Sequence, residues 1–262
     1  MRVAAPGISK LDPDGHSQIN KSDEIMPVTI KWFPPSWFQI KTKNLIIYID
    51  PAYLRSYYTH YPNKIEFSKW PDEIDGLPEK LEKADLILAT HDHKDHAKDV
   101  TVNRLRRKNT LVAGPKRCTK NLGKDIKVVE SGEQFAFKGI KIRVVDAYNT
   151  AKGSSTRKVH HKGNGVGYVL TAENKRIYHA GDTDFIPEMK QLGWVDVALL
   201  PIGGTFTMDL TEAVQAAIAI KPSVVIPMHR SKADPQDFKR KVEKISKIKV
   251  VPLQIGEVFK PK

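Results

Sequence analysis

The chain is poor in cysteine, in acidic side chains relative to basic ones, and in long apolar runs. Cys118 is its single cysteine, so neither an intrachain disulfide nor a cysteine cluster for zinc can form. No apolar stretch approaches the roughly 18 residues needed to span a bilayer, and no charged, apolar and cleavable leader pattern opens the chain. Membrane insertion is therefore not expected, and the default address is cytoplasmic. The glycine run Gly163, Gly165 and Gly167 has G-x-G-x-G spacing, which lacks both the Lys-Ser/Thr of a phosphate loop and the dinucleotide fingerprint.

The acidic deficit is large: 43 Lys and Arg face 30 Asp and Glu, a net charge of +13. Such an excess favours anionic partners through long-range attraction. The lysines are dispersed, with the tightest groups at Arg104, Arg106, Arg107 and Lys108 and along the loop carrying Lys152, Arg157, Lys158 and Lys162. From that loop Lys152 and Lys162 are candidate contacts for a small anionic substrate. Gly204, in Gly203-Gly204-Thr205-Phe206, is another, because its backbone N–H could face an anion. Nucleic acid is the less favoured partner, since no motif interleaving aromatic and basic residues is present.

With 40% hydrophobic residues in 262, one substantial core can form. Residues 1–26 hold Pro6-Gly7 and Asp12-Pro13-Asp14-Gly15 among polar neighbours and read as an extension, leaving 27–262 as the folded domain. Short β-like runs recur at 28–33, 38–41, 45–49, 86–89, 111–113 and 126–129, then at 134–137, 140–146, 167–171, 176–178, 197–200, 224–226 and 249–252. Helices are expected at 99–108 and 116–122. Two more follow, one capped by Asp209 and running to Ile220, the other capped by Asp234 with Pro235 in its first turn and running to Lys247. Two sheets face to face with helices outside would satisfy this pattern.

The chemistry is concentrated at Thr90-His91-Asp92-His93-Lys94-Asp95-His96-Ala97, directly after the apolar run Leu86-Ile87-Leu88-Ala89. Side chains two apart in an extended segment point to one side, so His91 and His93 can share a cation while the following turn redirects Asp95 and His96. One loop can thus serve two adjacent metals. Imidazole with carboxylate suits zinc, manganese or iron rather than magnesium or calcium. Distant ligands are expected after other short strands, with Asp182 in His179-Ala180-Gly181-Asp182 and His229 in Ile226-Pro227-Met228-His229 as candidates. A single Asp can bridge two cations.

These ordered segments, with Leu199-Leu200-Pro201-Ile202-Gly203-Gly204-Thr205 and the upstream Ile46-Ile47-Tyr48-Ile49-Asp50-Pro51, resemble the motifs of the metallo-β-lactamase superfamily. The likeness is specifically to its broad branch of metal-dependent hydrolases similar to ascorbate phosphate lactonase, and it runs from about residue 28 to 260. The resemblance implies an α/β fold, a four-layer αββα sandwich of two mixed β-sheets, with two divalent ions, zinc first and manganese or iron as alternatives, at one edge. It places His91 and His93 on the first metal, Asp95, His96 and His229 on the second, and Asp182 between them. Where the family pattern has a further histidine for the first metal, this chain has Asn149. An amide oxygen is the weaker donor, so with Asn149 as ligand or neighbour the first site is expected to be loose, half-occupied, or completed by His160 or His161 of the following loop, both read first as contacts around the ligands or to substrate. A histidine at 149 is expected to tighten that site.

The implied reaction is hydrolysis by a metal-activated water of an ester, lactone or phosphodiester in a small anionic substrate, with Asp95 as metal ligand and candidate catalytic group orienting the water. Two alternatives remain at this level: a metal-dependent nuclease, and a non-catalytic metal-binding relative.

Overall fold

The computed structural model describes residues 28–52 and 81–262, so the expected extension 1–26 with His16, and separately His60, lie outside the described residues. Two seven-stranded sheets make up the body. The first runs through β1 (Thr29–Phe33), β2 (Trp37–Lys41), β3 (Ile46–Ile49), β4 (Leu86–Leu88), β5 (Leu111–Gly114) and β6 (Lys127–Val128). As expected for three closely spaced runs, β1 to β3 pair antiparallel, while β3 to β6 pair parallel. The second contains β7 (Gln134–Phe137), β8 (Ile140–Ala147), β9 (Gly165–Ala172), β10 (Lys175–His179), β11 (Val197–Pro201), β12 (Val224–Met228) and β13 (Lys249–Val250). Its β7 to β10 ladder is antiparallel, and β10 to β13 run parallel. A last strand, β14 (Val258–Phe259), closes the first sheet against β1; two residues leave no alternation to read in the sequence.

The period-2 rule explains how the layers stack. In β3 and β4, Ile47, Ile49, Leu86 and Leu88 enter the core between the sheets with Ile142, Val144 and Leu170, while Tyr48 and Ile87 point outward into a second cluster with Val102, Leu105 and Leu122. The latter three belong to α1 (Asp99–Leu105) and α2 (Thr119–Leu122), which cover the first sheet. The second sheet is covered by α3 (Leu210–Ile220) and α4 (Pro235–Ile245). Their caps are those read from the sequence: Asp209 accepts from the Glu212 N–H at 2.8 Å, and Asp234 from Gln236 at 2.9 Å.

Several boundaries are tighter than expected. The helix at 99 stops at Leu105, because Arg106 turns extended and its side chain and that of Arg107 reach Asp125 and Asp85. The segment at 116 begins as a 3-10 turn, Lys116–Cys118, before α2, and α4 ends at Ile245. Among the described residues no helix is long and apolar enough to cross a membrane.

Candidate metal centre

Every expected metal ligand follows the carboxyl end of a strand. The register makes β8, β10, β11 and β12 run in one direction, as β3 and β4 do in the facing sheet. Loops leaving these ends therefore converge on one edge of the sandwich. His91 to His96 come from the loop after β4, Asn149 after β8, Asp182 after β10 and His229 after β12.

Three donor sets form there, each with ligand atoms within 4.8 Å of one another: His91, His93 and His160; His91, His96 and Asp182; Asp95, His96 and His229. His91 Nε2 lies 3.0 Å from His93 Nδ1, which lies 3.2 Å from His160 Nε2. Asp182 occupies the middle, with Oδ1 3.3 Å from His96 Nε2 and Oδ2 3.3 Å from His229 Nε2 and 3.5 Å from His160 Nε2. The Asp95 carboxylate is 3.7 Å from His229 Nε2.

Whether a cation fits is answered by the unmet polar atoms. His96 Nε2, His229 Nε2 and Asp182 Oδ1 are buried and lack any hydrogen-bond partner. Buried polar atoms are ordinarily satisfied, and these three aim at one another as ligands would. The charges agree. Burial disfavours charge on His96 and His229, yet the carboxylates around them, Asp182 foremost with Asp95 and, for His96, Asp50, together outweigh it and hold both well above the ordinary imidazole range. Asp182, although buried, is held well below the usual carboxylate range by His229 and His96. Burial and the neighbouring His96 push His91 down, leaving it neutral. A divalent cation would take the place of the protons that otherwise balance this cluster.

His160 and Asn149 divide the work that the sequence left open. The Asn149 amide donates to the Phe206 carbonyl at 2.9 Å, and its oxygen accepts from the His160 backbone N–H at 2.9 Å and faces His160 Nδ1 at 3.2 Å. Asn149 thus faces His160, and the imidazole is what reaches His93 and Asp182. Of the three candidate substrate contacts, Lys152 is exposed, and Lys162 is bound to Glu188 at 2.7 Å with its ammonium 4.8 Å above the Tyr148 ring. The Gly204 N–H donates to the Met208 carbonyl at 3.0 Å, closing a tight turn, so it is spent within the chain.

One residue was visible in the sequence without its role. Asp50, fully buried after β3, accepts from the Thr90 N–H and Oγ1, each at 2.6 Å, and lies 2.7 Å from His96 Nδ1. It fixes the start of the histidine loop and turns His96 Nε2 toward Asp182. Asp50 and His229 both adopt left-handed backbone, with φ 50° and 44°. That conformation costs non-glycine residues roughly 1–3 kcal/mol and is retained where surrounding contacts enforce it. Here the Asp50 N–H donates to the Leu88 carbonyl and the His229 N–H to that of Pro35.

Comparison with known proteins gives concordant results. The Beta-lactamase superfamily domain matches residues 29–229. A UPF0173 metal-dependent hydrolase of Methanopyrus kandleri is 33% identical over 242 residues, 88% of this chain and 98% of that protein. One from Thermococcus kodakarensis is 38% identical over 193 residues, covering 69% and 83%. The structure of Igni18, a metallo hydrolase from Ignicoccus hospitalis, superposes with a TM-score of 0.67 at 29% identity, covering 90% of this chain and 99% of that one.

Proposed function

We propose, starting from the fact that the chain belongs to the beta-lactamase superfamily and is a metal-dependent hydrolase, that it is a binuclear enzyme cleaving an ester, lactone or phosphodiester in a small anionic substrate. The observation that carries this reading is the trio of buried, partnerless ligand atoms on His96, His229 and Asp182, flanked by the imidazoles of His91, His93 and His160. His91, His93 and His160 would hold one ion, Asp95, His96 and His229 the other, and Asp182, with its two oxygens facing different histidines, would serve both. Zinc suits this nitrogen-rich set best, with manganese and iron as alternatives.

Divalent ions in such a site supply a nucleophilic water near neutral pH and polarise the bond under attack. The chain's own contribution is orientation. Asp50 holds His96 and Asn149 faces His160, and Asp95, partly exposed and beside His229, would orient or deprotonate the attacking water. Lys152, exposed on the loop that delivers His160, would attract an anionic substrate by charge, whereas the Lys162 ammonium is already paired with Glu188. The folded unit is taken as 27–262, with a cytoplasmic address.

The nuclease reading gains no observation: Arg106 and Arg107, from the densest basic stretch, are paired with Asp125 and Asp85. The test is elemental analysis of protein purified without chelator, with turnover of bis-p-nitrophenyl phosphate, an aryl ester and a lactone assayed in parallel. Two equivalents of metal and chelator-sensitive turnover of one substrate class are expected. A single tightly held equivalent with full turnover overturns the binuclear assignment.

A further inference from the structure

The outer face of the second sheet is only partly covered. Helices α3 and α4 pack over its parallel half, β11 to β13, and Val169 and Tyr178 on this face are buried, while a pocket of about 460 Å³ opens beside them over β7 to β9 and the start of β10. Strand register decides what lines it. Opposed residues in an antiparallel ladder share a face, so Ala136, Lys141, Thr171 and Arg176 form one row across the sheet, and Gln134, Arg143 and Val169 the next. Three cations therefore stand together, with a hydroxyl and an amide beside them. Among the described residues no acidic side chain lines the pocket.

The two arginines are drawn together rather than neutralised. Arg143 Nη2 and Arg176 Nη2 both donate to the Leu192 carbonyl, at 2.7 and 3.0 Å. Among the described residues neither guanidinium has a carboxylate within ion-pair distance; the adjacent Asp196 uses its carboxylate to accept the Arg176 backbone N–H at 2.6 Å. The Nε of Arg143 is buried and has no hydrogen-bond partner. Burial, together with the Arg176 charge, lowers the Arg143 pKa from its ordinary value. Two like charges held on one carbonyl, with no carboxylate between them, are an arrangement that an anion would relieve.

We propose that this pocket is a binding site for a phosphoryl group on a small molecule, separate from the metal centre. Guanidinium forks match phosphate oxygens, and three positive charges favour a dianionic phosphoryl over a singly charged carboxylate. The volume lies within the range of small-molecule sites, about 300–1,000 Å³.

The test is a titration of the metal-loaded full chain with inorganic phosphate at constant ionic strength, following the arginine Nε–H resonances by nitrogen-proton correlation NMR. The Arg143 resonance is assigned by its loss in Arg143→Lys. A saturable shift of that resonance is expected, with half-saturation raised about tenfold in Arg176→Gln and less in Thr171→Val. His93→Ala, which disturbs the metal centre, should leave the shift intact. Circular dichroism of each variant guards against misfolding, and two pocket variants keep the test open if one fails to fold. Linear, unsaturable drift overturns the site, as does equal response in Arg176→Gln and the parent or loss of the shift in His93→Ala. Half-saturation by acetate at the same concentration as phosphate overturns the phosphoryl preference.

Discussion

Asn149 and His160 grip one another through backbone and side chain alike: the Asn149 N–H donates to the His160 carbonyl at 2.7 Å, and the Asn149 side-chain oxygen accepts the His160 N–H at 2.9 Å. The same oxygen and the Phe206 carbonyl, 3.1 Å away, face His160 Nδ1 and make it the proton-bearing nitrogen. Nε2 is thereby left with its lone pair toward His93 and Asp182.

Replacement of Asn149 should therefore weaken a site it does not itself enter. Asn149→Ala is expected to lower metal affinity by about 10–100-fold, the usual effect of removing a ligand's hydrogen-bond partner. Asn149→His, expected from the sequence to tighten the site, should instead weaken it, since imidazole cannot replace both the donor to Phe206 and the acceptor for His160. Metal content after dialysis against a weak competing chelator measures both.

Asp50→Ala leaves the Thr90 N–H and His96 Nδ1 without their acceptor in a fully buried setting. Breaking such a buried pair costs about 3–5 kcal/mol. A large fall in Tm with loss of metal is expected. Asp50→Asn should retain more stability but still lose activity, because an amide offers one acceptor oxygen where the carboxylate uses two. Thermal unfolding and metal analysis on both variants separate the two effects.

Gly181→Ala probes the approach to Asp182. Gly181 has φ 67°, and a Cβ there would lie 2.8 Å from the Val166 carbonyl oxygen. Alanine must both adopt left-handed backbone and push β9 away, at about 1–3 kcal/mol. Asp182 should shift with it. The expected result is reduced metal stoichiometry alongside a lower Tm, measured on the same preparation.

Asp85 ties the sheets together across the molecule. Its carboxylate accepts from the Ile46 N–H at 3.1 Å, from Arg107, and from Lys138 of the β7–β8 hairpin at 3.3 Å. Burial raises its pKa, but these hydrogen bonds and the Arg107 charge win and hold it below the ordinary value. A carboxyl depressed in the folded state contributes stability above its unfolded pKa, about 3.9, and that contribution is lost as pH falls through the folded value. Asp85→Asn should cost about 1–3 kcal/mol near neutrality and show a shallower loss of stability between neutral pH and pH 2 than the parent. Urea unfolding across that range is the check; parallel acid limbs would remove Asp85 from the account.

The sequence alone determined what is local. Alternation in β3 and β4, the Asp209 and Asp234 caps, and the ordered run His91, His93, Asp95 and His96 depend on residues within a turn or a strand of one another, so pattern and spacing suffice to read them. The two-sheet sandwich followed from these elements and the family likeness. Only tertiary structure decided that His160, 67 positions beyond His93, reaches the same cluster; that Asn149 positions it; that Asp50 orients His96; and that Arg106 and Arg107 are occupied by Asp125 and Asp85. The physical reason is that these contacts lie between loops leaving different strands. Their geometry is set by strand direction, register and sheet packing, which place distant side chains within hydrogen-bond reach without leaving a periodic trace in the chain.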